Sequence, residues 1–379
     1  MENHQAVIGY ARHCKREAYE VYVGRPSAYG NPWSLDTDGS RETVVAKFRD
    51  WFSRNPDFIR FVRRTLEGKT LGCWCSPNAC HADVLAEFAN DESIRIEDPV
   101  FVFGSNLAGI NGKGAALFAQ QHRGGARGVG EGRQGNSYAI PTKNAQLKSL
   151  PLEAIADSAS QFLEYARANP RTYFDVTRVG CGLAVFRDEQ IAPLFFDAPA
   201  NCRLPLQWLR LRDPKTPAHV IIAGSRTIED EQFPESKVDA LLAKLDVRPV
   251  IISGGARNVD QRGERYAIDR GLDFLRYPAD WDRYGKSVAG MVRNQFMSWR
   301  ASHVIGIWDG SSSGTAGMMK IGKTDGLAIR VLHITPKKKR RVCEFQAHGV
   351  DLDAVPRCLQ LDKSATQSAI RHRAQRRLV

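Results

Sequence analysis

Between residues 219 and 334 five short apolar runs recur: HVIIAG, PVIISGG, LDFLRYPA, HVIGIWDG and IRVLHI. The segments between them have the mixed composition of surface helices. Strands that are apolar nearly throughout, rather than alternating, belong in a parallel sheet covered on both faces. Such a sheet takes ligands beyond the carboxyl ends of its strands. Residues 99–212 alternate in the same manner. PVFVFG is followed by a glycine-rich loop and the helix AALFAQQH. SYAIPT leads into the helix PLEAIADSASQFLEYARA, and YFDVTRV into the helix DEQIAPLFF. Residues 1–91 are less regular, with apolar runs VIGYA, VYVG and TLGCWC and helical stretches around 41–66 and 80–90. Polar NDESIRIED at 90–98 and RDPKTPA at 212–218 read as linkers. The pattern predicts an α/β chain of three modules. A small α+β domain covers 1–91, a three-layer α/β/α domain covers 99–212, and a Rossmann-like parallel-sheet domain covers 219–334. A basic tail takes 335–379.

Composition adjusts this picture in a few places. A length of 379 residues with 42% hydrophobic content is enough for two or three cored domains. No run of 18 apolar residues occurs, which excludes a membrane-spanning helix as the organising element. The first residues, MENHQAVIGYARHCKRE, lack the apolar stretch of a secretory signal, and the eight cysteines form no repeating framework. Both point to a reducing, cytoplasmic setting. The net charge of +12 invites a nucleic-acid partner, but its location argues otherwise. Eleven Lys/Arg against four Asp/Glu in 336–379 place +7 there and leave +5 for the other 335 residues. PKKKRRV and RHRAQRRLV in that tail read as solvated basic segments. The first has the form of a nuclear import signal, and either allows weak, salt-sensitive contact with nucleic acid.

The candidate chemistry lies in the glycine-rich loops. In NGKGAALFAQQHRGG (111–125) and VTRVGCGL (176–183), Gly112, Gly114, Gly180 and Gly182 can take positive φ and bring backbone amides close to a ligand. A helix starting near Gly114 presents its N-terminal amides to a diphosphate. With GNSYAIPTK (135–143), these segments resemble a macro domain, closest to the terminal ADP-ribose protein glycohydrolase branch, over most of 99–200. The resemblance implies ADP-ribose binding, with Lys143 at the catalytic lysine. It also places Ala184 where that branch has its aspartate. Asp188, four residues on, is the candidate substitute, or else a helix cap. Asn106 in FGSNLAG is a candidate ribose or base contact, or a turn residue.

In the last module, Gly224, Ser225 and Arg226 follow the first strand, and Gly254, Gly255 and Asp260 follow the second. Ser313, Gly314 and Thr315 open a later helix. Amides and hydroxyls there can cradle phosphate. Arg226 and Arg293 offer forked donors, Trp281 or Tyr284 a stacking surface, and Asn294 lies within the same segment. Asp260, Asp280 and Asp282 are the carboxylates at hand, each of which can equally cap a turn. AGSRT, SGGARNVD, PADWDRYGKSVAGMVRN and WDGSSSGTAGM resemble the SLOG superfamily, in particular its YspA-like branch, over nearly all of 219–334. Relatives bind nucleotides, and some cleave an N-glycosidic bond with a glutamate at the position of Met318 here.

VGRPSAYGNPW and LGCWCSPNACHADVL resemble an uncharacterised family frequent in phages and prophages. Cys73, Cys75, Cys80 and His81 are close enough in sequence for a structural zinc ion. They also fit a reactive thiol at a helix start, or ordinary buried thiols. Arg25, Tyr29, Asn31 and Trp33 read as a ligand loop or as turn and core. No other cofactor is expected, and nucleotide folds of this type often pair as homo-oligomers. Together the resemblances imply a protein that binds, and as an enzyme hydrolyses, ADP-ribose-containing or NAD-derived nucleotides. Processing of signalling nucleotides in phage counter-defence would be one setting. The rivals are a sensor or sponge without turnover, and an enzyme acting on nucleic-acid bases or N-glycosidic bonds.

Overall fold

The computed structural model describes residues 11–94 and 97–335, and the two basic tail segments lie outside them. The five apolar runs of the last module form one all-parallel sheet. Its strands are β9 (His219–Gly224), β10 (Val250–Ser253), β11 (Phe274–Arg276), β12 (His303–Trp308) and β13 (Ala328–His333), in the order β11-β10-β9-β12-β13. The order reverses between β9 and β12, so the loops that leave these two strands diverge and open a crevice. Helices α9 (Glu235–Leu242) and α10 (Val259–Asp269) pack with the core that contains Val220, Ile222 and Ile251. Helices α12 (Ala289–Trp299) and α13 (Ser313–Thr324) contribute Met297 and Met318 to the core of Ile221, Ile252 and Val304. Burial on both faces is why these strands are apolar throughout. A short α11 (Trp281–Tyr284) follows β11.

The middle sheet has the order β5-β6-β4-β7-β8. Its strands are β4 (Val100–Asn106), β5 (Gly132–Gln134), β6 (Ser137–Lys143), β7 (Phe174–Val176) and β8 (Cys202–Arg203). All neighbours are parallel except β5 against β6. Its helices are α5 (Gly114–His122), α6 (Leu152–Ala168), α7 (Asp188–Ile191), which runs on into a 3-10 turn, and α8 (Leu206–Arg212).

The N-terminal module has a minimal parallel sheet, β1-β3-β2, from Ala11–His13, Leu71–Cys73 and Val21–Tyr22 respectively. Its bulk is α1 (Leu35–Asp38), α2 (Arg41–Ser53), α3 (Pro56–Leu66) and α4 (His81–Asn90). The helical stretch expected over 41–66 is broken at Asn55, which precedes Pro56 and is held out of the helical region at φ −113° and ψ 74°. Pro56 then starts α3, where its missing N–H costs nothing.

The modules share interiors. The Trp51 ring stacks on Phe274 at 4.7 Å, and its indole Nε1 donates to the Phe274 carbonyl at 2.8 Å. Arg276, paired with buried Glu264, donates to the carbonyls of Ala28 and Gly30 at 3.1 and 2.9 Å. The GRPSAYGNPW loop is thereby seated on the last module. Phe101 and Phe118 of the middle module pack on Trp299 at 4.9 and 5.2 Å. Where all three modules meet, Asp57 and Asp175 alternate with Arg203 and Arg300.

Candidate functional site

At the carboxyl edge of the last sheet, the loops after β9 and β12 are tied to each other. Ser225 donates its N–H to the Ile307 carbonyl at 3.1 Å and accepts from Asp309 N on Oγ at 3.1 Å. Thr227 Oγ1 donates to Asp309 at 2.6 Å. The Asp309 carboxylate also accepts from Ser311 N and Ser312 N at 2.9 and 2.8 Å. Burial works to raise its pKa, but these donors hold it far below the ordinary carboxylate range. Two amides of this loop are thus already occupied by an internal anion. Ser312 caps α13 by accepting from Thr315 N, and the amides of Ser313 and Gly314 form no hydrogen bond among the described residues. Both residues are exposed, and a Cβ at Gly314 would meet nothing within 4 Å. This is the open end of the helix, where its dipole favours an anion.

Several residues expected at this mouth point inward instead. A Cβ on Gly224 would stand 2.3 Å from Val259, and one on Gly254 would stand 1.6 Å from Arg293. These glycines are required by close packing, not by a ligand. Asp260 is 4% exposed and accepts from Gly224 N and Ala256 N, both at 3.3 Å. Arg293 donates to the Gly254 carbonyl at 2.5 Å and lies 3.6 Å from Asp260. Burial raises the Asp260 pKa against the pull of Arg293, and it lowers that of Arg293. Together they form a braced pair beneath the loops. Ser225 and Thr315 are buried, and Asn294 bridges α12 to the Gly314 carbonyl at 3.4 Å. Gly255 takes the left-handed conformation at φ +66°. Left facing solvent are Arg226, Ser313, Gly314 and the exposed ring of Trp281. Arg257, which sequence reasoning missed, joins them. Like Arg226, it is exposed, and its side chain makes no hydrogen bond or ion pair among the described residues. Of the carboxylates considered, Asp280 is buried, caps α11 and pairs with Arg64, while Asp282 is exposed. Met318 is a core residue of 1% exposure.

The carboxyl edge of the middle sheet is assembled differently. Leu107 N donates to the Lys143 carbonyl at 2.9 Å, and Ser149 Oγ donates to the Ala184 carbonyl at 2.9 Å, so the loops after β4, β6 and β7 form one rim. Lys143 closes β6 half-buried, its ammonium unpaired among the described residues. Gly114 and Gly180 take positive φ, +59° and +78°. Gly112 and Gly182 do not, yet a Cβ at either would meet nothing within 4 Å, as at Gly114. The backbone before α5 and after β7 is therefore open to approach. Asn106 turns back on its own loop, donating to the Ile110 carbonyl at 2.8 Å and accepting from Ile110 N at 3.0 Å; it is a turn residue. Asn111, which the sequence reading passed over, is 4% exposed, and its Oδ1 has no donor among the described residues. Asp188 is the first residue of α7, capped by Arg187, and its carboxylate accepts from Arg178 Nε at 2.9 Å and Trp208 Nε1 at 2.7 Å. Burial opposes its ionisation, but Arg178 and Trp208 lower its pKa. The rim is apolar: Leu107, Ile110, Val129, Leu147, Leu183 and Val185 are all exposed on it. Leu147 and Val185 also hold positive φ, 62° and 65°. For a β-branched residue this is a strained conformation.

In the N-terminal module, β3 delivers Cys73 and the N-terminus of α4 delivers Cys80 and His81, all buried. His81 Nδ1 faces both sulfurs, 3.6 Å from Cys80 and 4.0 Å from Cys73, while Nε2 lies 3.0 Å from the Val23 carbonyl. Burial lowers the His81 pKa and keeps the ring neutral. Cys75 is half-buried, and the neighbouring thiols of Cys73 and Cys80, with Arg41, pull its pKa down against the effect of burial. Tyr29 and Trp33 pack against the core, and the Tyr29 hydroxyl donates to Thr65 at 3.0 Å. Asn31 is buried and hydrogen-bonds to the Val44 carbonyl at 3.1 Å, while Arg25 is exposed. The three-module junction encloses about 90 Å³, lined by Asp57, Asp175, Arg203 and Arg300 among others. That is room for a few water molecules and not for a nucleotide.

Known proteins resemble separate parts of the chain. Residues 9–91 match the domain of unknown function DUF4326, and residues 218–284 match the YspA, cpYpsA-related SLOG family. The SLOG match assigns the last module to nucleotide-related binding or processing at a coarse level. No helix among the described residues is long and apolar enough to cross a membrane. DNA processing protein A from Streptococcus pneumoniae, known from an X-ray structure, aligns over 48% of this chain and 75% of its own, at 14% identity and a TM-score of 0.28. An uncharacterized 12.4 kDa protein of Enterobacteria phage T4, from the nrdA-td intergenic region, is 31% identical over 86 residues, which is 21% of this chain and 79% of that protein. The chain belongs to the family of that phage protein.

Proposed function

We propose that the chain binds nucleotide diphosphate derivatives, ADP-ribose or NAD-derived molecules, at the carboxyl edges of its two larger sheets. One observation carries this reading. All three non-glycine residues with left-handed φ among the described residues, Leu147, Val185 and Asn258, sit on loops at these two edges. Strained backbone persists only where surrounding structure holds it, and it clusters at ligand sites. In the last module the diphosphate lies over the free amides of Ser313 and Gly314, with Arg226 and Arg257 as counter-charges and Trp281 as a stacking surface. In the middle module the backbone at Gly112, Gly114 and Gly182 cradles the phosphates. Lys143 would face the ribose C1″ carbon, and the apolar rim would cover the base.

Binding without turnover is the form the site supports best. A lysine attacking an anomeric carbon needs an acid or base to manage protons. Ala184 and Met318 supply none, Asp188 is engaged by Arg178 and Trp208, and Asp260 is buried. Hydrolysis with Lys143 as nucleophile is the second reading, favoured by that ammonium's lack of a partner among the described residues. A relative encoded by a phage fits a role in sequestering or processing nucleotide signals in an infected cell. The test is calorimetry of the full chain with ADP-ribose and NAD, followed by mass spectrometry of the recovered ligand. Ligand recovered unchanged makes the protein a sensor or sponge, and conversion that disappears in Lys143→Ala makes it a hydrolase. Failure of both ligands to bind at millimolar concentration overturns the proposal.

A further inference from the structure

We propose that Cys73, Cys75, Cys80 and His81 hold one structural zinc ion, bound by three thiolates and the imidazole Nδ1. The inference is independent of the nucleotide sites. It starts from the tautomer of His81. The Val23 carbonyl can only accept a hydrogen bond, so at 3.0 Å it requires the ring proton on Nε2. Nδ1 then presents its lone pair to the sulfurs. This is the orientation that backbone carbonyls impose on metal-ligating histidines.

The spacing fits a tetrahedral ion. With Zn–S of about 2.3 Å and Zn–N of about 2.0 Å, the S···N edge of a tetrahedron is about 3.5 Å. The observed separations are 3.6 Å for Cys80 and 4.0 Å for Cys73, and the ligand atoms of Cys73, Cys80 and His81 all lie within 4.8 Å of one another. Cys75, two residues beyond Cys73, lies outside that group of three and becomes the fourth donor once its half-buried side chain turns inward. Cys80 caps α4, and its sulfur already accepts from Ala82 N at 3.4 Å. On binding, each coordinating thiol loses its proton to solvent and the neutral imidazole loses none.

The ion would do structural work. The sheet here has strands of two or three residues and cannot by itself fix the chain that follows β2. Through His81 the metal anchors Val23, where the GRPSAYGNPW loop that seats on Arg276 begins. Four protein ligands leave no open position for catalysis.

The test uses the full chain, purified without chelator and supplied with zinc. Elemental analysis is expected to give one zinc per chain. The thiols of Cys73, Cys75 and Cys80 should resist alkylation until a chelator is added. Cobalt(II) substitution should produce the intense sulfur-to-metal charge-transfer absorption of a tetrahedral thiolate site. Cys75→Ser, at the half-buried position, should lose most of the metal and weaken that absorption. If the variant does not fold, alkylation mapping of the native chain decides. Ready alkylation of all three thiols in zinc-supplied protein, zinc retained in full by Cys75→Ser, or iron in place of zinc would overturn the proposal.

Discussion

Asp57 at the start of α3 and Arg300 at the end of α12 lie 3.0 Å apart, although 243 positions separate them in the chain. Arg203 of the middle module reaches the same carboxylate at 2.8 Å, and the Tyr277 hydroxyl donates to it at 3.2 Å. One carboxylate thus binds guanidinium groups from two other modules. Burial works against its charge, but Arg203, Arg300 and Arg60 hold its pKa well below the ordinary range. Removing one side of such a buried network leaves charges uncompensated and costs about 3–5 kcal/mol. Asp57→Asn should therefore lower the urea midpoint markedly, and the double variant Asp57→Asn with Arg300→Met should lose less than the sum of the two single losses.

The same carboxylate sets an acid limit. Its pKa is depressed in the folded state, so its contribution is complete above the unfolded value of about 3.9 and fades as pH falls from there toward the folded value. Asp175, opposed by burial but held down by Arg203 and Arg300, acts in the same direction. Stability measured by urea unfolding should fall between about pH 4 and pH 2. The slope should be smaller in Asp57→Asn. An unchanged slope would mean that the junction carboxylates do not control acid unfolding.

Two glycines of the last module should respond in opposite ways. Alanine at Gly254 would place its Cβ 1.6 Å from Arg293 and displace the guanidinium that braces Asp260. Gly254→Ala should cost more than about 2 kcal/mol of stability, through a broken buried pair. Alanine at Gly314 enters open space in the first turn of α13. Gly314→Ala should leave stability within about 0.5 kcal/mol. It should nonetheless reduce nucleotide affinity, because the methyl group stands where the phosphate approaches the amides. Calorimetry and urea unfolding on both variants separate the two roles.

This contrast shows where the sequence was legible. The five strands of the last sheet and the main strands of the middle one followed from apolar runs, because burial on both faces leaves a direct mark on composition. Glycines mark close backbone approach, but they do not say from which side. Gly224 and Gly254 admit Val259 and Arg293 from within, whereas Gly314 faces outward, and the letters are the same. Asn106 and Asp188 suffered similarly, since a polar residue near a loop looks available until its partners, Ile110 and Arg178, are seen. The packing of Trp51 on Phe274 joins residues 223 positions apart, and nothing local encodes it.

Arg226 and Arg257 should matter for ligand and not for folding. Both are exposed, and their side chains form no hydrogen bond or ion pair among the described residues. A charged hydrogen bond to phosphate is worth about 1.5–3 kcal/mol, which corresponds to roughly 10- to 150-fold in affinity. Arg226→Ala should weaken nucleotide binding to the last module by that order with an unchanged melting temperature. Normal binding in the double variant with Arg257→Ala would move the phosphate away from this mouth.

Lys143 and Asp188 divide the middle module's chemistry from its architecture. Lys143 has no partner to lose among the described residues, so Lys143→Ala should leave the urea midpoint unchanged. Asp188 holds Arg178, whose guanidinium also donates to the Asp325 carbonyl of α13's C-terminal cap, and it accepts from the indole of buried Trp208. Asp188→Asn removes the charge that satisfies Arg178 and should cost about 2–3 kcal/mol, visible as an earlier change in tryptophan fluorescence on unfolding. For ADP-ribose the order reverses. Lys143→Ala should weaken binding about tenfold or more, while Asp188→Asn, assayed well below its unfolding midpoint, should bind nearly as well as the unmodified chain. A catalytic Asp188 would instead show normal binding and lost turnover, so measuring ligand conversion alongside affinity in both variants decides whether that carboxylate supports the fold or acts on the ligand.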